Sequence, residues 1–365
     1  MQSAAMLAFS YQANPARVLF GAGSLAQVGA EVERLGARRA LVLCTPEQAA
    51  SGEAVAALLG ERSAGVFAQA VMHVPIETAR AARAEAARLG ADCAVAIGGG
   101  STTGLAKAIA LESPLPIIAI PTTYAGSEMT PIYGITEGGV KKTGRDGRVM
   151  PRTVIYDPEL TLTLPLGLTV TSALNAIAHA AEGLYAHDGN PVVALMAEEA
   201  IRASAAALAP LKADPRDMAA RGDALYGAWL AGIVLGSVAM GLHHKLCHTL
   251  GGSFNLPHAD THTVVLPHAM AYNGAAAPEA MARIARALHA ADPTLPTHDA
   301  PLALQQLAAR NGAPTVLAAL GMPAAGLDRV AELAVQTPYP NPRPLEQAAL
   351  RALLQRAYDG SAPRP

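Results

Sequence analysis

Aromatic residues supply only 4% of this 365-residue chain, and that scarcity, beside a large alanine content, argues against an all-β architecture and for closely packed helices. Cysteine is as sparse. Cys44, Cys93 and Cys247 share no CxxC spacing and are odd in number, which fits a reducing cytoplasm. The net charge of −2 comes without a long run of one sign, so the chain carries no footprint for nucleic acid or a membrane surface. No stretch reaches the ~18 uninterrupted apolar residues of a membrane span. The first residues hold only the brief apolar run AAMLAF with no basic residue before Arg17, so no signal peptide is expected. A small-molecule partner is the default that remains.

What the chain does have is length enough for two domains of about 100–200 residues each, and an apolar half rich enough to give both a core. In the first part, Ala40 to Cys44 reads as a buried strand closed by a Thr-Pro turn, and Ser51 to Leu59 as a helix. Val66 to Val74 reads as a second strand, Glu77 to Leu89 as a helix and Asp92 to Ile97 as a third strand. This alternation predicts a parallel sheet covered by helices.

The third strand runs into Gly98-Gly99-Gly100-Ser101-Thr102 and then a helical stretch, where bare backbone and a helix N-terminus suit a pyrophosphate. Thr103 breaks the GxGxxG pattern, so an ordinary Rossmann dehydrogenase is not what the spacing supports. A fourth strand, Pro116 to Ile120, leads into Pro121-Thr122-Thr123-Tyr124-Ala125-Gly126-Ser127-Glu128. Its hydroxyls lie either where parallel sheets bind ligands or in a turn that satisfies itself. The basic stretch Lys141 to Arg148 is expected as a hairpin-like turn, either merely solvated or in contact with an anionic substrate or cofactor phosphate.

After Asp157-Pro158 the character changes, and a boundary near Leu160 to Pro165 divides an α/β domain (1–162) from a helical one (163–365). Loops are expected at His187–Pro191, Ala213–Pro215, Ala290–Pro301 and Thr337–Pro344, with long helices from about Thr171. Gly241 to His268 packs six of the eleven histidines into twenty-eight residues. A helix over Gly236 to Leu250, ended by Gly251 and Gly252, would put His244 and His248 on one face and His243 about a quarter-turn away. His258 is expected in a loop after Pro257, and Asn175 and His179 repeat the four-residue spacing upstream. So many imidazoles have little packing value, and the cluster is read as a chemical centre. His262 and His268, taken singly, read as structural, as do Cys44 and Cys93. Cys247 has no base evidently aimed at it.

The sequence of GGGS, PTT…GSE, DPELTLTLP, NAxxHAxE and HHxxxHxLGG…LPH resembles the iron-containing alcohol dehydrogenase superfamily over nearly the whole chain. Within it, His73-Val74-Pro75, PTTYAGSEMTPIYGITE, KTGRDGRVMPRTVIYDP, NAIAHAAEGLYA and the terminal NPRP with LLQRAYDG are similar to maleylacetate reductases. The resemblance implies an N-terminal Rossmann-like nucleotide domain, a C-terminal α-helical domain and a cofactor in the cleft between them. By it Gly98, Gly99, Gly100 and Ser101 hold the pyrophosphate, Thr122, Thr123 and Ser127 line the nucleotide site, and His73 joins them. Thr45 stands where many relatives have a ribose-binding aspartate, which admits NADPH alongside NADH.

Metal-dependent members use one aspartate and three histidines, and those positions are Asn175, His179, His244 and His258 in this chain. An amide in place of the acid leaves a dication uncompensated, so no metal is expected to be required. The activity implied is reduction of the carbon–carbon double bond of maleylacetate, or a chlorinated analogue, to 3-oxoadipate in aromatic-compound degradation. His248 and His244 lead as catalytic residues, supported by His243 and His258. Lys245, Arg145, Lys142 and Arg343, with Asn175 and His179, are expected to bind the dicarboxylate, in a homodimer. The alternatives are a metal-dependent alcohol or aldehyde oxidoreductase and a non-catalytic nucleotide-binding protein.

Overall fold

The computed structural model describes residues 9, 11–14, 16–138 and 140–365. The N-terminal apolar run, apart from Phe9, and the Lys141 side chain lie outside that description. In chain order the first half runs β1 (Arg17–Phe20), α1 (Val28–Arg34), β2 (Ala40–Leu43), α2 (Ala49–Leu59), β3 (Ser63–Phe67), α3 (Ile76–Arg88), β4 (Cys93–Gly98), α4 (Gly100–Ala110), β5 (Ile117–Pro121), β6 (Ile132–Glu137), β7 (Val140–Arg145) and β8 (Thr153–Tyr156).

Six of these strands form one parallel sheet in the order β1-β8-β5-β4-β2-β3. The central strands β2, β4 and β5 are buried along their whole length, which is why they are near-continuous runs of Val, Ile, Leu and Ala rather than alternating patterns. Packing cores lie on both faces. The expected strand to Val74 stops at Phe67, because the chain turns through His73 and Val74 at φ 66° and 48° before Pro75 opens α3. The four-residue strands β1 and β8, paired from Arg17 with Thr153, are too short to show a period in the sequence. The basic stretch is not the turn of a hairpin but its second strand, β7, paired antiparallel with β6 from Ile132 opposite Arg145.

The second half is helical: α5 (Leu166–Gly183), α6 (Pro191–Ala213), α7 (Met218–Ser237), α8 (Leu242–Phe254), α9 (His258–Asn273), α10 (Pro278–Ala291), α11 (Ala300–Arg310), α12 (Leu327–Gln336) and α13 (Gln347–Asp359). The helix expected over Gly236 to Leu250 is two helices meeting at 96°. The break has a cause. Both oxygens of the Glu182 carboxylate accept backbone N–H groups at the start of α8, from Gly241 at 3.0 Å, His243 at 2.9 Å and His244 at 3.3 Å, and so cap a new helix there. Gly251 and Gly252 do not end α8, which runs on to Phe254 and stops at Asn255 in the left-handed conformation. His258 is likewise not in a loop: it is the first residue of α9, behind Pro257.

The two halves join where the segment after β5 meets α7. Gly126, at φ 79°, packs on Gly232 so closely that a Cβ at Gly232 would stand 2.7 Å from the Gly126 carbonyl oxygen. Beside them the buried Arg221 guanidinium donates to Thr169 Oγ1 at 2.8 Å and to the Tyr124 hydroxyl at 3.1 Å. No single helix among the described residues is long and apolar enough to cross a membrane.

Candidate active site

The carboxyl ends of β4 and β5 carry the glycine turn. Gly98 adopts φ 149°, and a Cβ there would stand 2.5 Å from Thr102 Oγ1 and 2.7 Å from Gln48 Oε1, so glycine is required. Gly100 opens α4 with nothing within 4 Å of where its Cβ would be, and Gly99 caps the helix without any side-chain bond. No side chain caps this helix N-terminus or crowds Gly100, which suits a pyrophosphate. Thr122 accepts from Gln48 Nε2 at 3.0 Å and Thr123 lies against Gly99, while Thr45 caps the short helix after β2. The Ser127 carbonyl accepts from Lys107 Nζ at 2.6 Å. Burial pushes Lys107 down to about 7 against the pull of Glu128, and the amine is held among four oxygens, including Thr130 O and Ile132 O. His73 is exposed, and its carbonyl accepts from Thr136 Oγ1 at 2.8 Å.

The imidazoles gather in the helical half. The His244 ring lies 5.0 Å from His179, stacked, 6.0 Å from His248 and 5.1 Å from His262. His258 lies 4.3 Å from His262 and 6.3 Å from His248. His248 and His258 are exposed, whereas Asn175, His179, His243, His244 and His262 are buried. Two residues tie this group together that were not among the expected site residues. Glu182, on α5 one helical stripe along from Asn175 and His179, holds His244 Nδ1 at 2.6 Å from its Oε2. His262, read as structural when taken alone, has its Nδ1 3.0 Å from His243 Nε2. The i, i+4, i+7 spacing of 175, 179 and 182 was the available signal for Glu182.

Burial keeps His179, His243 and His262 neutral. It pushes His243 down to about 3 and His179 and His262 well below the ordinary range, helped in each case by neighbouring histidines. Glu182 behaves oppositely: burial opposes its charge, yet hydrogen bonding and charge from His244 hold it down to about 2. Asn175 Oδ1, His179 Nδ1, His244 Nε2 and His262 Nε2 are each buried without a partner.

The cationic residues are dispersed. Lys245 Nζ lies 5.8 Å over the Tyr339 ring, and Arg343 stacks on Tyr272 at 4.1 Å. Arg145 donates to the Gly236 carbonyl at the end of α7, and Lys142 pairs with Glu137 at 2.8 Å on the hairpin.

The model of iron-containing alcohol dehydrogenases matches residues 15–158, and that of the C-terminal part of the Fe-containing alcohol dehydrogenase family matches residues 169–358. A maleylacetate reductase of Burkholderia cepacia is 67% identical over 98% of this chain and 100% of its own. Among solved structures, a putative alcohol dehydrogenase of Ralstonia eutropha JMP134 superposes with a TM-score of 0.95 at 66% identity, covering 98% of this chain and 99% of its own. A maleylacetate reductase of Rhizobium sp. strain MTP-10005 superposes with a TM-score of 0.93 at 54% identity, covering 98% of this chain and 100% of its own. The chain belongs to the iron-containing alcohol dehydrogenase family, on its maleylacetate reductase branch. It is an NAD(P)H-using oxidoreductase.

The family's metal is a poor match for the donors present. Asn175 brings no charge, and Glu182, the carboxylate beside the imidazoles, has both oxygens committed to α8, His244 and the Tyr185 hydroxyl. Ferrous iron, which favours imidazole with an anionic oxygen, lacks a first-sphere anion here. Among the described residues, the trio of donor atoms lying within 4.8 Å of one another is His243, Cys247 and His262, not the family's metal positions.

Proposed function

We propose that this enzyme uses NADH, and NADPH as well, to reduce the carbon–carbon double bond of maleylacetate and its chlorinated analogues, giving 3-oxoadipate from maleylacetate itself, with no metal required. The observation that carries this reading is a pocket of imidazoles with Asn175 where a metal-binding acid would stand, in a chain so close to the Burkholderia enzyme.

Gly98, Gly99, Gly100 and Ser101 would hold the pyrophosphate, with Thr45, His73, Thr122, Thr123 and Ser127 along the nucleotide. NAD(P)H held there would supply a hydride to the alkene carbon remote from the ketone, leaving the electron pair on the ketone oxygen. Imidazole N–H groups stabilise that enolate oxygen without a metal, and a proton goes to the carbon beside the ketone. His244 and His248 lead in these roles, with His243 and His258 in support. Lys245 heads the candidates for the substrate carboxylates, with Arg343, Arg145 and Lys142 behind it and Asn175 and His179 as neutral contacts. We take the working form to be a cytoplasmic homodimer.

The deciding assay is NADH and NADPH oxidation with freshly generated maleylacetate, with and without chelator. Rapid turnover that chelator leaves unchanged is expected. Activity lost to chelator and restored by iron or zinc would overturn the metal-free reading, and firm NADH binding without turnover would overturn the substrate.

A further inference from the structure

Two of the unpartnered imidazole nitrogens share an arrangement. His244 Nε2 and His262 Nε2 are both buried without a hydrogen-bond partner, on rings whose centroids are 5.1 Å apart and nearly perpendicular. Each ring is held from behind through its Nδ1, His244 by Glu182 Oε2 at 2.6 Å and His262 by His243 Nε2 at 3.0 Å. Buried polar nitrogens are rarely left unsatisfied, so each calls for a polar partner that arrives with a ligand or with water.

The backing groups determine which nitrogen carries the proton. Glu182 is an anion with only donors around it, so His244 keeps a proton on Nδ1. On the other side, burial holds the Cys247 thiol protonated, and its Sγ lies 4.0 Å from His243 Nδ1 and 3.8 Å from Nε2. A thiol donating to Nδ1 leaves the His243 proton on Nε2, where it serves His262 Nδ1. Neutral His262 must then carry its own proton on Nε2. The outer nitrogen of His262 would thus present an N–H.

We propose that His262 is a further catalytic residue, whose Nε2–H donates to the ketone oxygen of the substrate as it becomes an enolate. His243 is the positioning residue behind it. The inference rests on the reduction proposed above, and it names the electrophile that takes the place of a Lewis-acidic metal. A fixed donor aimed at a developing oxyanion lowers the barrier because it need not reorganise. Nothing in this assignment moves a proton to carbon; that task stays with the exposed His248 and His258.

The tautomer can be read in the unliganded wild-type enzyme from the nitrogen-15 resonances of its histidines. His262 protonated on Nε2 is expected; a proton on Nδ1 with a bare Nε2 would overturn the assignment. The oxygen site can be tested without a cofactor, by following exchange in heavy water of the 3-oxoadipate methylene that lies beside the ketone on the longer arm. His262→Asn removes the outer nitrogen and should slow this exchange by about 100-fold, as for other oxyanion donors. His262→Gln, whose amide reaches the Nε2 position, should recover at least a tenth of the wild-type rate, and NADH affinity should hold within about twofold in both. Exchange by His262→Asn at the wild-type rate would sink the proposal. Failure of the wild-type enzyme to oxidise NADH with maleylacetate defeats the substrate reading instead, while the tautomer, measured without substrate, decides His262 separately.

Discussion

Glu182 Oε2 stands 2.6 Å from His244 Nδ1 with its side chain wholly shielded from solvent. The same carboxylate starts α8 and accepts the Tyr185 hydroxyl at 2.8 Å, so one buried charge both ends a helix break and orients an imidazole. Replacing it by glutamine puts an NH2 group among N–H donors and removes the anion. Glu182→Gln should lose about 3 kcal/mol of stability in urea unfolding, the usual cost of breaking a buried charged pair. Turnover should fall about 100-fold, while NADH affinity by fluorescence titration stays put, because the glycine turn belongs to the other half. An equal loss of both would reduce Glu182 to a fold residue.

His248 is exposed, with its ring 6.3 Å from that of His258. A surface imidazole removed at little cost to packing gives a clean kinetic test. His248→Ala should lower kcat by about 100-fold, within the range of lost general acid catalysis, and leave the NADH dissociation constant within twofold. A matching loss of NADH binding would count against catalysis by this side chain.

Much of this was legible in the residues. Fully buried strands read as apolar runs, and GGGS read as a strand-to-helix turn, because both depend on local chemistry. The break between α7 and α8 was not legible, since its cause, Glu182, lies some sixty residues upstream and acts only through the fold. His262 was hidden for a related reason: alone it has no spacing argument, and only α9 beginning at His258 brings it one turn on, toward the same space. The glycines of α8 misled because an exposed Gly252 with no neighbour at its Cβ position does not terminate a helix that packing and an Asn255 cap extend.

The amide of Asn175 is the feature that most separates this pocket from a metal site. Asn175→Asp would place an anion one helical turn before His179, with His244 opposite. The variant, purified without chelator, should retain close to one equivalent of a divalent transition metal by elemental analysis, where the wild type retains far less. Equal metal content in the two proteins would show that the amide is not what excludes a cation.

Gly126 and Gly232 allow the threonine-rich segment after β5 to lie directly on α7. A Cβ at Gly232 would also stand 3.0 Å from Gly126 Cα, and backbone cannot swing away as a flexible side chain can. Gly232→Ala should cost about 1–3 kcal/mol, as overpacking usually does. It should also weaken NADH binding by displacing Thr122, Thr123 and Ser127. A variant that unfolds earlier yet binds NADH normally would show that the segment holds its shape without this contact.

Acid sensitivity should begin with buried histidines rather than carboxylates. His268, on α9 away from the cluster, is pushed by burial, and then by the Arg356 charge, down to about 4 from its ordinary 6.5. Between those values the unfolded chain binds a proton that the native protein refuses, so acidification favours unfolding; above 6.5 the two states hold equal charge at this site and the dependence vanishes. Stability should therefore rise with pH through that window, by up to about 1.4 kcal/mol per pH unit for this one group. Urea unfolding of the wild type and of His268→Gln from pH 4.5 to 7.5 measures the difference in slope. Parallel curves would mean that His268 is protonated in the native state, and that the solvent reaches a side chain with 1% of its surface exposed.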